Sequence, residues 1–364
     1  MPKLLHIHSD WDGSPIIRRS IAVAQGLGTS IQHQIHVVGG FGSRRPPGSP
    51  FRRVSSFPKI EGVPTLGKLQ KIAKAMLGYD LVCTYGYGAI NAAMAHTAFS
   101  QAFALPALLH HEPEDAERGL KADIYRRVAL GKCAGLVVPD ERIEEAALVA
   151  WQQPMGRVKL IPEGIDLKPW RKTPPGDMLR EVVKRPGEKW AGMMAANWPA
   201  GMLAAMMRAF AELTDNWQLV ILGEVENSES VRDMAAEIGI GHRVHLATDP
   251  DPSGRSIGLL EIVLLPEESP DCGLAAIRAM AGGAAVITEP KSVAAPLLPD
   301  SGQEFVLRFD QGNNLGIALT SLAADQGLRE TLAEEGRDQV KAAHDEKVMI
   351  ATYKRLYASA MMLA

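Results

Sequence analysis

Short apolar runs alternate with stretches in which apolar residues recur every three or four positions, and the alternation continues along almost the whole chain. In the N-terminal half, residues 3–8, 34–38, 81–84, 107–110, 135–138 and 158–161 read as strands, and 16–26, 66–77, 90–102 and 120–132 as helices. Strand–helix repetition of this kind predicts a parallel, doubly wound sheet. Between 168 and 189 the composition shifts to Pro, Lys, Arg and Gly, which predicts an interdomain linker. The pattern then repeats, with strands at 190–195, 218–222 and 243–246 and helices at 202–213 and 230–238. Two domains are expected, 1–167 and 168–345, with a terminal helix in 346–364 packing back on the first.

The stretch EESPDCGLAAIRAMAGGAAVITEP, residues 267–290, is the most informative. Leu274, Ile277, Met280 and Ala281 recur at helical spacing, Gly282-Gly283 ends the helix, and 284–288 is a short apolar strand preceded by another at 261–266. Ser269, Pro270, Asp271 and Gly273 turn the chain between them, so that the N–H groups of a helix N-terminus face out of the sheet edge, where an anion can sit. Asp271 alone also reads as a cap on its own helix.

Strand, acidic loop, G-L-x-x-x-x-A-M-A-x-G and a following V-I strand resemble the donor-site signature of the retaining glycosyltransferases of family 4. The turn Glu163-Gly164-Ile165-Asp166 is similar to the N-G-V-D that ends the first domain in that family, with Glu163 in place of Asn. The resemblance covers nearly the whole chain and implies the α/β GT-B fold, two Rossmann-like doubly wound parallel-sheet domains facing across a cleft. It also implies metal-independent hexosyl transfer, with retention, from a nucleotide-sugar donor to a glycan or lipid-linked acceptor, as in polysaccharide biosynthesis. No cofactor is implied, the nucleotide-sugar being a substrate.

Under that resemblance His111 contacts the donor sugar, and Gly13, Gly273 and Leu274 offer backbone N–H groups to the diphosphate or sugar. Ser14, Glu163, Asn197 and Asp271 border the donor, while Asp10, Asp12 and His110 face the acceptor. The family's paired glutamates fall on Pro270 and Arg278, so Glu267 or Glu268 is left to supply the first carboxylate, with Glu268 the expected one. The Arg and Lys that neutralise the departing diphosphate fall on Ala196 and Gly201. Arg278 either reaches the diphosphate or excludes the ribose. These four departures leave a second reading, a catalytically silent scaffold that binds a glycan or a partner glycosyltransferase.

Composition narrows the class. At 364 residues, 46% hydrophobic and 22% charged, the chain suits two packed domains, and its net charge of −3 gives no reason to expect nucleic acid. Cys83, Cys133 and Cys272 are odd in number and far apart, which suggests reduced thiols. No signal-like or membrane-spanning apolar stretch is apparent, so a cytoplasmic location, at most peripheral to a membrane, is expected.

Two further loops bear on chemistry. Asp10-Trp11-Asp12 has a spacing that binds metal in another glycosyltransferase fold, but two carboxylates fall short of the six or so oxygens a hard cation takes, so no metal is expected. In His110-His111-Glu112 the adjacent rings point to opposite faces of a strand, so one is expected to face the cleft. Arg44, Arg45, Arg52 and Arg53, interleaved with Phe41, Phe51 and Phe57, form a basic stretch suited to anionic lipid or to a solvated loop.

Overall fold

The computed structural model describes residues 1–11, 14–41, 49–116, 119–195, 198–225, 227–249, 251, 253–267, 271–311 and 313–362. The chain folds as two compact units, one made of Met1–Gly164 and Glu346–Ala364, the other of Ile165–Asp345.

The first unit runs β1 (Lys3–His8), α1 (Pro15–Leu27), β2 (Gln32–Val37), β3 (Arg52–Arg53), α2 (Leu66–Ala75), β4 (Leu81–Tyr85), α3 (Ile90–Phe99), β5 (Ala107–His111), α4 (Leu120–Ala129), β6 (Gly135–Val138), α5 (Glu141–Val149) and β7 (Val158–Leu160). All its strands pair in parallel in the order β3-β2-β1-β4-β5-β6-β7. Parallel strands are covered on both faces, which is why β1, β4, β5 and β6 read as nearly unbroken apolar runs. One face holds Leu5, Ile7, Val82, Leu108 and Leu136 against α2, α3 and α5. The other holds Leu4, Leu81, Cys83 and Leu109.

The second unit runs β8 (Lys189–Met194), α6 (Ala200–Ala211), β9 (Trp217–Leu222), α7 (Ser228–Glu237), β10 (Val244–Ala247), β11 (Ile262–Leu265), α8 (Cys272–Gly282), β12 (Ala285–Thr288), α9 (Asn314–Ala324) and α10 (Gln326–Ala343). Its parallel strand order is β10-β9-β8-β11-β12. Helix α8 stops at Gly283, whose φ of +88° is a conformation that side chains rarely adopt. The last helix, α11 (Glu346–Met362), returns to the first unit, where Met349, Tyr353 and Tyr357 cover the Leu4–Leu81 face.

The Pro- and Gly-rich stretch after residue 167 differs from the linker its composition predicts, because it is built into the second unit. Leu179 is buried in that unit's core, Glu181 accepts from the Thr248 hydroxyl at 2.6 Å, and Lys184 pairs with Glu261 at 2.6 Å. Proline limits regular structure here without preventing burial. The crossing between units falls instead at Gly164–Ile165, where a Cβ on Gly164 would lie 2.8 Å from the Glu346 backbone.

Candidate functional site

In each sheet the strand order reverses once, between β1 and β4 in the first unit and between β8 and β11 in the second. Open parallel sheets bind ligands at the carboxyl ends of the strands beside such a reversal. These two edges are the candidate sites.

At the first edge a cavity of about 480 Å³ is lined by Ser9 and Asp10 after β1, Gly39 after β2, Glu61, and Tyr87, Asn91 and Tyr125. Close approach of three backbone segments shapes it. A Cβ on Gly39 would lie 2.8 Å from the Asp10 carboxylate, and one on Gly86 or Gly88 would lie 2.9 Å from the Ser9 hydroxyl. Asn91 donates to the carbonyls of Ile60 and Gly62, at 2.9 and 3.2 Å, and accepts from the Tyr125 hydroxyl at 2.5 Å. Burial raises the Tyr125 pKa to about 12, with the neighbouring Tyr87 adding to it, so the phenol stays a donor.

Beneath Tyr87 lies a buried ionic network. Arg126 is stacked between the rings of Tyr87 and Trp151, at 4.7 and 4.6 Å, and donates to both oxygens of Glu112 at 2.6 and 3.1 Å. His110 bridges the Thr84 hydroxyl at 2.7 Å and Glu112 at 3.1 Å. Burial alone would raise the Glu112 carboxyl, but the hydrogen bond and charge of His110 together with Arg126 outweigh it and hold the group low.

The two histidines do point to opposite faces, yet neither is open. His110 is fully buried with both ring nitrogens engaged, so it braces the Tyr87 wall and does not present an acceptor surface. His111 is 2% exposed, because α11 folds over its face: its ring stacks between Tyr85 at 4.4 Å and Tyr353 at 5.8 Å, with Nδ1 on the Thr84 carbonyl. Register explains the stack, since His8, Tyr85 and His111 are neighbours in one row across β1, β4 and β5. Burial drives the His111 pKa well down, with His110 next in effect.

Glu163 also differs from expectation. Its carboxylate is held by Arg19 at 2.7 Å, with both residues buried, so it is spent on closing the first unit and is not presented to a donor. Ser14 precedes Pro15 at the start of α1 and accepts from Ile17 and Arg18 through its carbonyl. Asp12, Gly13, Arg44 and Arg45 lie outside the described residues. Arg52 and Arg53 form the edge strand β3, exposed, with Arg53 over the Phe41 ring at 4.8 Å, while Phe51 before them is buried against His6, His33 and Trp11.

At the second edge the backbone dominates. Asp271 enters α8 in a left-handed conformation, φ 49°, makes no side-chain cap, and accepts from Ala275 through its carbonyl. Gly273 and Leu274 are buried in the first turn. The Cys272 thiol lies 3.0 Å from the Ser292 hydroxyl. Glu289, a residue the sequence reading missed, accepts from the backbone N–H groups of Glu267 at 3.0 Å and Phe309 at 3.3 Å, tying the loop after β11 to the segment beyond β12. Its signal was a carboxylate directly after an apolar strand. Arg308 beside it is exposed and paired with Asp310 at 2.9 Å, which raises its pKa.

Arg278 packs its guanidinium against Gly254, where a Cβ would meet it at 2.6 Å; the Asp251 carboxyl nearby is held low against burial by the hydrogen bonds from Ser253, then by the charges of Arg255 and Arg278. Gly201 is exposed with open space around its α-carbon. Ala196, Asn197, Glu268 and Pro270 lie outside the described residues. Among the described residues no group of three or more His, Cys, Asp or Glu is placed to hold a metal, and no helix is long and apolar enough to cross a membrane.

No family model and no curated protein matches the sequence. Solved structures match over its whole length. Sucrose-phosphate synthase from Thermosynechococcus elongatus is 20% identical, with all of both chains covered and a TM-score of 0.70. A glycosyltransferase from Rickettsia africae is 12% identical over 99% of this chain and 98% of its own, with a TM-score of 0.77. HepE from Anabaena, solved in complex with UDP, is 13% identical over 99% of this chain and all of its own, with a TM-score of 0.75. The α/β architecture of two parallel sheets, matched end to end by these proteins, is the GT-B fold.

Proposed function

We propose that the chain is a glycosyltransferase that moves a sugar, with retention and without a metal, from a nucleotide-sugar to a glycan or lipid-linked acceptor. The observation that carries this reading is the edge of the second unit, where a helix N-terminus stands at the strand-order reversal with its entry loop clamped by Glu289. Such an edge suits a diphosphate, which backbone N–H groups and the helix dipole stabilise. HepE, solved with UDP and with UDP-glucose, supports a nucleotide-sugar as the donor. In this proposal Gly273 and Leu274 face the diphosphate through the backbone, Glu268 contacts the sugar, and Asp10 lies on the acceptor side with the cavity of the first unit. Arg52 and Arg53 offer exposed charge to an anionic membrane surface.

A silent scaffold is the alternative, favoured by the replacement of the diphosphate-neutralising cations by Ala196 and Gly201 and by the burial of His111 and Glu163. Transition-state charge stabilisation of that kind is worth on the order of a hundredfold or more in rate. Incubation with radiolabelled UDP-, GDP-, ADP- and dTDP-sugars separates the readings. Slow hydrolysis or transfer is expected of the enzyme, and nucleotide binding with no turnover of any donor would leave the scaffold.

A further inference from the structure

The cavity of the first unit has a chemistry of its own. Its volume, about 480 Å³, falls within the roughly 300–1,000 Å³ of small-molecule sites. Asp10 and Glu61 contribute exposed carboxylates from different loops; neither accepts a hydrogen bond or forms a close ion pair among the described residues, and Glu61 acts on His36 through its charge. Both loops are fixed. Asn91 holds the carbonyls on either side of Glu61, and the missing side chain of Gly39 leaves space that the Asp10 carboxylate fills.

Among the described residues no lysine or arginine lines the cavity. One ammonium stands at the rim, where Lys68 donates to the Glu61 carbonyl, and Arg126 sits under Tyr87 with its guanidinium on Glu112. Two aromatic rings stand in the wall, Tyr87 and Tyr125 nearly edge-on at 6.4 Å, beside Val38, Ile90 and the glycine backbone. Carboxylates accept hydroxyl and ammonium hydrogens, aromatic rings cover the apolar side of a sugar and attract a cation, and both repel phosphate or carboxylate.

We propose that this cavity binds a sugar ring carrying a free amino group. The assignment of that ring as the acceptor rests on the transferase reading; the binding itself does not.

The test is calorimetric titration of the full chain, without any nucleotide, with glucosamine, glucose and glucose 6-phosphate at low salt. Glucosamine is expected to bind roughly fivefold to tenfold more tightly than glucose, the scale of one or two partly exposed ion pairs. Glucose 6-phosphate is expected to show no heat of binding. In Asp10→Asn combined with Glu61→Gln, checked for an unchanged melting temperature, the preference should vanish while glucose still binds. Failure of all three sugars to bind, equal binding of glucose 6-phosphate, or a preference that survives the double variant overturns the proposal. A chain that binds UDP but lacks the preference overturns this assignment and leaves the transferase reading intact. The preference without UDP binding does the reverse.

Discussion

The two sheet edges use opposite means. At the first, side chains do the work: two exposed carboxylates, a pair of tyrosines, and a buried Arg126–Glu112–His110 network beneath them. At the second, the strands and α8 are built mostly from Ala, Val, Ile, Leu and Met, with a helix N-terminus after β11 and Glu289 holding the backbone of the loop that leads into it. Backbone donors suit a charge common to many ligands, such as a diphosphate, while side chains suit discrimination. The proposal therefore expects specificity at the first edge and a shared anionic group at the second.

The largest effect should come from breaking the buried network. Glu112→Ala leaves Arg126 unpaired in the core, and a loss of about 3–5 kcal/mol in denaturant unfolding is expected, with Glu112→Leu plus Arg126→Met recovering most of it. A single-variant loss below about 1 kcal/mol would show that the wall is held by packing alone.

Next comes acid. Burial lowers the pKa of His6 and His111 well below the ordinary value, and that of His33 from 6.5 to about 4. The folded state keeps these rings neutral, so its stability is complete above about pH 6.5 and falls as the unfolded chain takes up protons that the fold refuses, until the folded rings titrate. His33, hydrogen-bonded to His6, contributes part of that loss as the pH falls below about 6.5. A melting temperature independent of pH between about 7 and 5 contradicts this, and His33→Asn should flatten the curve.

At the second edge, Glu289→Ala should cost about 1–3 kcal/mol and speed amide exchange at Glu267 and Phe309, the two donors it satisfies. UDP affinity should fall with it. The smallest effect is expected at Arg278, whose guanidinium supports the Gly254 loop: Arg278→Ala should cost under about 1 kcal/mol in stability and leave UDP affinity within about fivefold. A loss of about 1.5–3 kcal/mol in UDP binding would instead put Arg278 on the diphosphate.

The fold was legible because parallel strands announce themselves as apolar runs, and the α8 segment carried its own start and stop. Helices α9 and α10 were not read: α9 is apolar nearly all round, and α10 buries only a narrow stripe around Leu332, Ala333, Gly336 and Val340. Alternation along β5 correctly put His110 and His111 on opposite faces, but nothing local says that α11 covers one of them or that Arg126 reaches the other's partner. Likewise Glu163 looked available because Arg19, which holds it, lies 144 residues away. The cavity wall left a trace in Tyr85-Gly86-Tyr87-Gly88, where Gly86 has φ +74° at a strand end, although Glu61 and Asn91 join it only through the fold.

The central claim is that a nucleoside diphosphate binds at the edge of the second unit, and hydrogen–deuterium exchange of the full chain with and without UDP tests it most directly. Protection is expected in residues 265–275 and 308–310, with a rise in melting temperature corresponding to about 2.7 kcal/mol when UDP is about a hundred times its Kd. The account would be contradicted by protection confined to the first unit, or by no protection or stabilisation from millimolar UDP, GDP, ADP or dTDP.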